Sequence, residues 1–164
     1  MTEPTSRGTV TVGVISDTHG LLRPSALAAL EGSDVVLHAG DVGGQDILDA
    51  LRDIAPLHVV RGNTDHGTWA ESLPRTEVVT VHGAQIYMVH DIADLDPAPA
   101  AADLDMGVFG PSHRPEVTSR DGVVYFNPGA AGHRRFSLPV TVGRVQVTAS
   151  GVEDPEIVHI EAAS

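Results

Sequence analysis

The 164-residue sequence contains no cysteine, which excludes thiol catalysis, cysteine-based zinc sites and disulfide frameworks together. Lysine is missing too, so all 10 basic residues are arginine, set against 22 aspartates and glutamates. So acidic a surface repels a long nucleic-acid polymer unless the arginines share one face, and no basic cluster is visible beyond Arg134-Arg135. No apolar run approaches the ~20 residues of a membrane span, and the opening Met-Thr-Glu-Pro-Thr-Ser-Arg lacks a signal peptide's hydrophobic region. A cytoplasmic protein that neither spans a membrane nor binds a long nucleic acid is expected. The length suits one domain burying about two-thirds of the surface its unfolded form exposes.

Residues 1–8 read as a flexible N-terminal arm and residues 9–164 as a single domain. The alternating run over 10–15 predicts a first strand, and Arg23-Pro24-Ser25 opens a short helix through Leu30, with proline near the first helical position. Val35-Val36-Leu37 reads as a buried strand. From Gly43 the period changes. Ile47, Leu48, Leu51 and Ile54 recur at helical spacing with Asp46, Asp49, Arg52 and Asp53 opposite, which predicts an amphipathic helix covering a sheet. Pro56 ends it and 57–60 returns to strand, so the first half is βαβαβ with parallel strands.

In the second half, 77–81 and 85–89 flank a turn short enough to join antiparallel neighbours. Pro97 and Pro99 predict a loop over 94–105 with a turn of helix near Ala100. Strands follow at 107–109, 116–119 and 123–126, the last two joined by Asp121-Gly122. Segments 140–148 and 157–160 close the chain as a final β pair. Two facing sheets, partly parallel and partly antiparallel, with helices outside, are expected.

Chemistry gathers at the strand ends. Asp17-Thr18-His19 follows the first strand, Gly40-Asp41 the second and Gly62-Asn63 the third, while His90 and Gly110-Pro111-Ser112-His113 end two later ones. An open α/β sheet places its ligand crevice at the carboxyl ends of its strands. Carboxylate joined with imidazole suits Mn, Fe or Zn better than Mg or Ca. The glycine before Asp41 lets the backbone turn tightly enough to aim that carboxylate at the same point. Turn capping would account for any one of these aspartates singly. Five such endings together favour metal ligation.

The ordered set Asp17-x-His19, Gly-Asp41, Gly-Asn63, His90 and Gly-x-x-His113 resembles the calcineurin-like metallophosphoesterases. More narrowly it resembles their small bacterial YfcE-type phosphodiesterases, whose fold a retromer subunit shares. Asn127-Pro128-Gly129 followed by Arg134-Arg135 fits the same subgroup. The resemblance covers nearly all of 10–150 and implies an α/β fold, a four-layer αββα sandwich holding two divalent ions, with Mn favoured and Fe, Ni or Zn as alternatives. It implies that Asp17, His19, Asp41 and His113 hold the first ion, and that Asp41 bridges to the second beside Asn63 and His90. The implied activity is hydrolysis of a small phosphodiester or phosphomonoester by a water that two cations about 3.5–4 Å apart activate. In that scheme Asn63, Asp65 and His90 are the catalytic candidates. Asp65 either orients an imidazole such as His66 or tethers its loop through backbone amides. A homodimer is compatible with the resemblance.

Two departures from the family pattern stand out. The family writes Gly-His-x-His where this chain has Gly110-Pro111-Ser112-His113, and a proline side chain cannot coordinate the second ion. His133 stands where many relatives have proline; it either restores the lost contact or sits in solvent. Arg135, with Arg134, either grips a phosphate oxygen bidentately or forms a solvated pair. Thr64 replaces the histidine that larger phosphatases place after the asparagine, so no dedicated general acid is evident. Pro111 keeps two further readings open: a scaffold of the same fold that hydrolyses poorly, and a one-metal hydrolase on Asp17, His19, Asp41 and His113. His38 reads as a hydrogen-bonded inner residue or a support of the metal ligands, and Trp69, the only tryptophan, as packing its loop against the sheet or stacking on a substrate base.

Overall fold

The computed structural model describes residues 9–91, 104–110, 114–120, 122–132 and 138–160. The expected N-terminal arm and nearly all of the expected 94–105 loop lie outside them. Strands β1 (Thr9–Ile15), β2 (Val35–His38) and β3 (Leu57–Val59) alternate with helices α1 (Pro24–Leu30) and α2 (Gln45–Arg52). β1 pairs with β2, and β2 with β3, in parallel. Pro24 opens α1, where its missing N–H costs nothing. In α2, Ile47, Leu48 and Leu51 are buried, while Asp46 in the first turn and Arg52 in the last complement the helix dipole.

After the single-turn helix α3 (Thr68–Glu71) the chain builds its second sheet. His82 (φ 53°) and Gly83 (φ 88°) form the two-residue left-handed turn that joins β4 (Thr76–Val81) to β5 (Ala84–Val89) as an antiparallel hairpin. β6 (Met106–Val108) lies parallel to β5 and to β8 (Val123–Asn127), and β7 (Glu116–Arg120) closes the edge beside β8. The chain then returns to the first sheet through β9 (Thr141–Thr148) and β10 (Gly151–His159). The first sheet has the order β10-β9-β1-β2-β3 and the second β4-β5-β6-β8-β7.

Strand periodicity sorts the apolar residues into two cores. Val12, Val14 and Leu37 of the first sheet meet Ile86, Met88, Met106, Val108 and Phe126 of the second. Their neighbours Ile15 and Val36, on the opposite face, pack with Leu30, Leu48 and Leu51 of the helices. The result is the expected α/β sandwich of two mixed sheets. Among the described residues the helices pack on the first sheet's side, and no described helix supplies the fourth layer.

Two elements differ from expectation. β10 begins at Gly151 rather than at 157, because an edge strand accommodates Pro155 through an irregularity between Glu153 and Glu156, with Asp154 at φ 52°. α3 falls inside a segment expected to be a loop, and it brings Trp69 against the helix-side core, the packing role expected of that residue.

Candidate metal centre

β1 and β2 go on pairing past their ends. Asp17 N–H donates to Gly40 O at 3.0 Å, His19 N–H to Asp41 O at 2.9 Å and Gly20 N–H to Val42 O at 2.9 Å, so the two loops that follow the strands are zipped side by side. To do this the backbone turns left-handed at Asp17 (φ 56°), His19 (φ 46°) and Asp41 (φ 58°). Each such conformation costs about 1–3 kcal/mol outside glycine and persists where surrounding contacts impose it. Aspartate and histidine are among the types that accept it best.

The side chains of these three residues converge with one from the end of β5. His19 Nε2 lies 3.5 Å from Asp17 Oδ1 and 3.7 Å from Asp41 Oδ2. His90 Nε2 lies 3.1 Å from Asp41 Oδ2 and 3.9 Å from Asp17 Oδ1. Asp17, Asp41 and His90, all buried, each bring one ligand atom into a group that spans no more than 4.8 Å.

This arrangement fits a cation. His90 Nδ1 is 2.9 Å from Ala39 O, and a carbonyl only accepts, so Nδ1 carries a proton and Nε2 is turned toward the carboxylates. Although 3.1 Å from Asp41 Oδ2, Nε2 makes no well-directed hydrogen bond. Once Nε2 gives up its proton, its lone pair would face the same point as the carboxylate oxygens. Two ligand atoms each about 2.1 Å from one ion, and roughly 90–110° apart around it, are about 3.0–3.4 Å from one another.

Hydrogen bonds hold the other carboxylate oxygens. Ser16 Oγ donates to Asp17 Oδ2 at 2.7 Å and Thr64 N–H to Asp41 Oδ1 at 2.9 Å, while Oδ1 of Asp17 and Oδ2 of Asp41 are the oxygens that face the two imidazoles. The electrostatics agree. Burial alone would lower the His90 pKa, but Asp41 and Asp17 outweigh it and raise the imidazole to about 9. Burial would raise Asp41, yet His90 and the Thr64 amide hold its carboxyl well below the usual carboxylate range.

Residues 10–150 match the sequence model of the calcineurin-like phosphoesterase superfamily domain. The chain belongs to that superfamily. A probable metallophosphoesterase of Methanocaldococcus jannaschii is 31% identical over 136 residues, which span 75% of this chain and 69% of that protein. Among solved structures, vacuolar protein sorting 29 from Cryptosporidium parvum superposes with a TM-score of 0.78 at 20% identity, over 96% of this chain and 94% of that one. YfcE, a phosphoesterase from E. coli, superposes with a TM-score of 0.65 at 20% identity, over 93% of this chain and 100% of that one. These superpositions bear out the expected fold.

Other candidates of this calcineurin-like domain lie around the cluster. Asn63 is exposed and lines a cavity of about 360 Å³ together with His90, Arg61, Arg75, Thr76 and Val89. Asp65 is buried, and its carboxylate accepts the N–H groups of Val42 (3.2 Å), Gly43 (3.1 Å) and Gly62 (2.9 Å). Of the two roles expected for it, tethering is the one its contacts serve; His66 beside it is exposed. His113, Pro111, His133, Arg134 and Arg135 lie outside the described residues. Gly110, which begins the His113 motif, packs on the centre: a Cβ there would stand 2.3 Å from Ser16 Oγ and 2.9 Å from Asp17 Oδ2. Ser16 and Thr18, the supports of the Asp17 turn, escaped the sequence reading, although their place on either side of Asp17 was a signal.

Proposed function

We propose that this member of the superfamily hydrolyses a small phosphate ester, a diester or a monoester, with two divalent cations, manganese foremost. The reading rests on the convergence of Asp17, His19, Asp41 and His90 on one buried point, with ligand-atom separations of 3.1 to 3.9 Å. When bound, such cations polarise the phosphoryl oxygens and lower the pKa of the attacking water. The mixed imidazole and carboxylate donors favour Mn, with Fe, Ni and Zn as alternatives.

The chain's own contribution is to hold and orient. Asp41 presents Oδ2 to both His19 and His90, and would help to hold both cations. His90 keeps its Nδ1 proton on Ala39 and so aims Nε2 at the centre. Asn63 stands beside His90 in the cavity wall, where its neutral amide adds no anion next to an incoming phosphate. In this reading His113 completes the first ligand set. Pro111 weakens the second, and His133 or Arg135 offsets part of that loss.

Chelator-stripped protein reloaded with Mn is expected to release nitrophenol from bis-p-nitrophenyl phosphate, and Asp41→Asn to abolish both the rate and the metal uptake. No stimulation by Mn, Fe, Ni or Zn would sink the hydrolytic reading and leave the scaffold alternative. One tightly held equivalent with full activity would favour the one-metal hydrolase. Pro111→His is expected to raise second-site occupancy.

A further inference from the structure

The formal net charge is −12 and arginines are the only lysine-or-arginine cations, yet two of them flank the cavity beside the centre. They come from different loops. Arg61 follows β3, and its backbone N–H donates to Pro74 O at 2.7 Å, which draws the residue preceding Arg75 against it. Arg61 Nε donates to Asp65 O at 2.9 Å, so its guanidinium is anchored on the loop that the buried Asp65 carboxylate tethers. Arg75 is exposed at the cavity's edge. Glu77, the nearest carboxylate along the chain, is engaged elsewhere, with Oε2 2.9 Å from His58 Nδ1. Among the described residues neither arginine forms an ion pair with a carboxylate.

The cavity is therefore lined by Arg61 and Arg75 together with Asn63, Thr76, Val89 and His90. At about 360 Å³ it has room for an organic group the size of an aromatic ring with a charged substituent. An ester with its phosphorus at the centre would lay one arm along this wall. We propose that Arg61 and Arg75 form an anion subsite that selects esters whose arm carries a second negative group, a carboxylate or a further phosphate. The inference rests on the proposed hydrolysis and names its substrate class. Planar guanidinium donors match both anions, and a local cationic wall lets such a substrate approach an otherwise acidic protein.

Two stable probes separate this subsite from the chemistry: diphenylphosphinate, which mimics a diester, and (4-carboxyphenyl)phenylphosphinate, which adds one carboxylate. Calorimetric titration of the Mn-loaded protein is expected to show roughly tenfold tighter binding of the carboxylated probe, as for a charge-assisted guanidinium pair. Arg75→Gln is expected to remove most of that preference and Arg75→Lys to keep part of it, while added salt weakens it in the parent protein. Equal affinity for the two probes, no binding of the carboxylated one, or a preference that survives Arg75→Gln would each overturn the subsite. A lack of metal-stimulated bis-p-nitrophenyl phosphate hydrolysis would overturn the proposed function instead, and would leave the affinity ratio standing as a separate result.

Discussion

His38 and Thr18 meet inside the protein with Nε2 of the first 3.1 Å from Oγ1 of the second, and their other partners assign the protons. Thr18 Oγ1 donates its single hydrogen to Val42 O at 2.7 Å, so toward His38 it only accepts, and Nε2 carries the proton. His38 Nδ1 is then an acceptor, filled by Gly40 N–H at 3.0 Å. One neutral imidazole in one tautomer thus ties the Asp17-Thr18-His19 turn to the Gly40-Asp41 turn.

Thr18→Val keeps the shape of the side chain and deletes this tie. His38 Nε2–H loses its partner in the interior, at a cost of roughly 1–3 kcal/mol for the group left unsatisfied, while Val42 O keeps the Gly20 N–H. The loops carrying Asp17 and Asp41 are then less firmly registered, and Mn affinity is expected to fall roughly 10–100-fold, as for other groups that orient metal ligands. Urea unfolding and a competitive metal titration measure the two effects. An unchanged Mn affinity would show that the tie does not set the centre.

Much of this site was legible because its signals are local. Glycine before Asp41 and before Asn63, and a change from strand period to turn residues, mark strand ends without any knowledge of packing. Parallel pairing then brings Asp17, His19 and Asp41 to one edge. What the sequence hid begins where the alternation of strand faces stops. Left-handed turns at Asp17, His19 and Asp41 reorient every neighbouring side chain, so the inward aim of Ser16 and Thr18 could not be extrapolated from β1. Asp65 was ambiguous for the same reason, since tethering and catalysis differ only in which way a loop carboxylate faces. Arg61 and Arg75 meet through a backbone bond to Pro74, which no residue pattern announces. In β10, Pro155 and its acidic neighbours carry loop chemistry that an edge strand tolerates.

The metal-free protein is expected to be most stable near pH 6.5, through two histidines of opposite sign. Burial lowers His38 to about 4 from an ordinary 6.5, with Asp17 and Asp65 opposing in part. The unfolded chain therefore binds this proton first as pH falls, so the contribution of His38 is whole above pH 6.5 and is lost between 6.5 and 4. Raised to about 9, His90 contributes stability that is whole below 6.5 and lost as pH rises through 9. Urea midpoints of chelator-treated protein across this range should peak, and a flat alkaline limb would remove the part assigned to His90.

Metal uptake should release a proton. The imidazole of His90 is charged below about pH 9 in the metal-free protein, and a cation takes the place of the Nε2 hydrogen while Nδ1–H stays on Ala39. Near neutral pH, about one proton is expected to leave for each cation that His90 binds, and apparent affinity should rise about tenfold per pH unit until the imidazole is neutral. Calorimetry in two buffers of different ionisation enthalpy counts the protons. Zero release would mean that His90 is not a ligand.

Gly62 gives the most local test of how closely the loops must approach. A Cβ at this position would stand 2.1 Å from Asp41 Oδ1 and 2.2 Å from Asp41 N, so Gly62→Ala forces either the Asp41 carboxylate or the loop after β3 to move. Both movements break the Thr64 N–H bond to Asp41 Oδ1. A destabilisation of about 3 kcal/mol is expected, at the upper end of overpacking costs, together with a loss of Mn affinity of about 100-fold or more, since a direct ligand is displaced rather than a supporting group. Gly83→Ala is the matching control. Gly83 has φ 88° with nothing within 4 Å of a built Cβ, so that variant should cost only backbone strain of about 1 kcal/mol and leave Mn affinity intact. If the two variants lose metal equally, or neither does, the contact between Gly62 and Asp41 is not what shapes the centre.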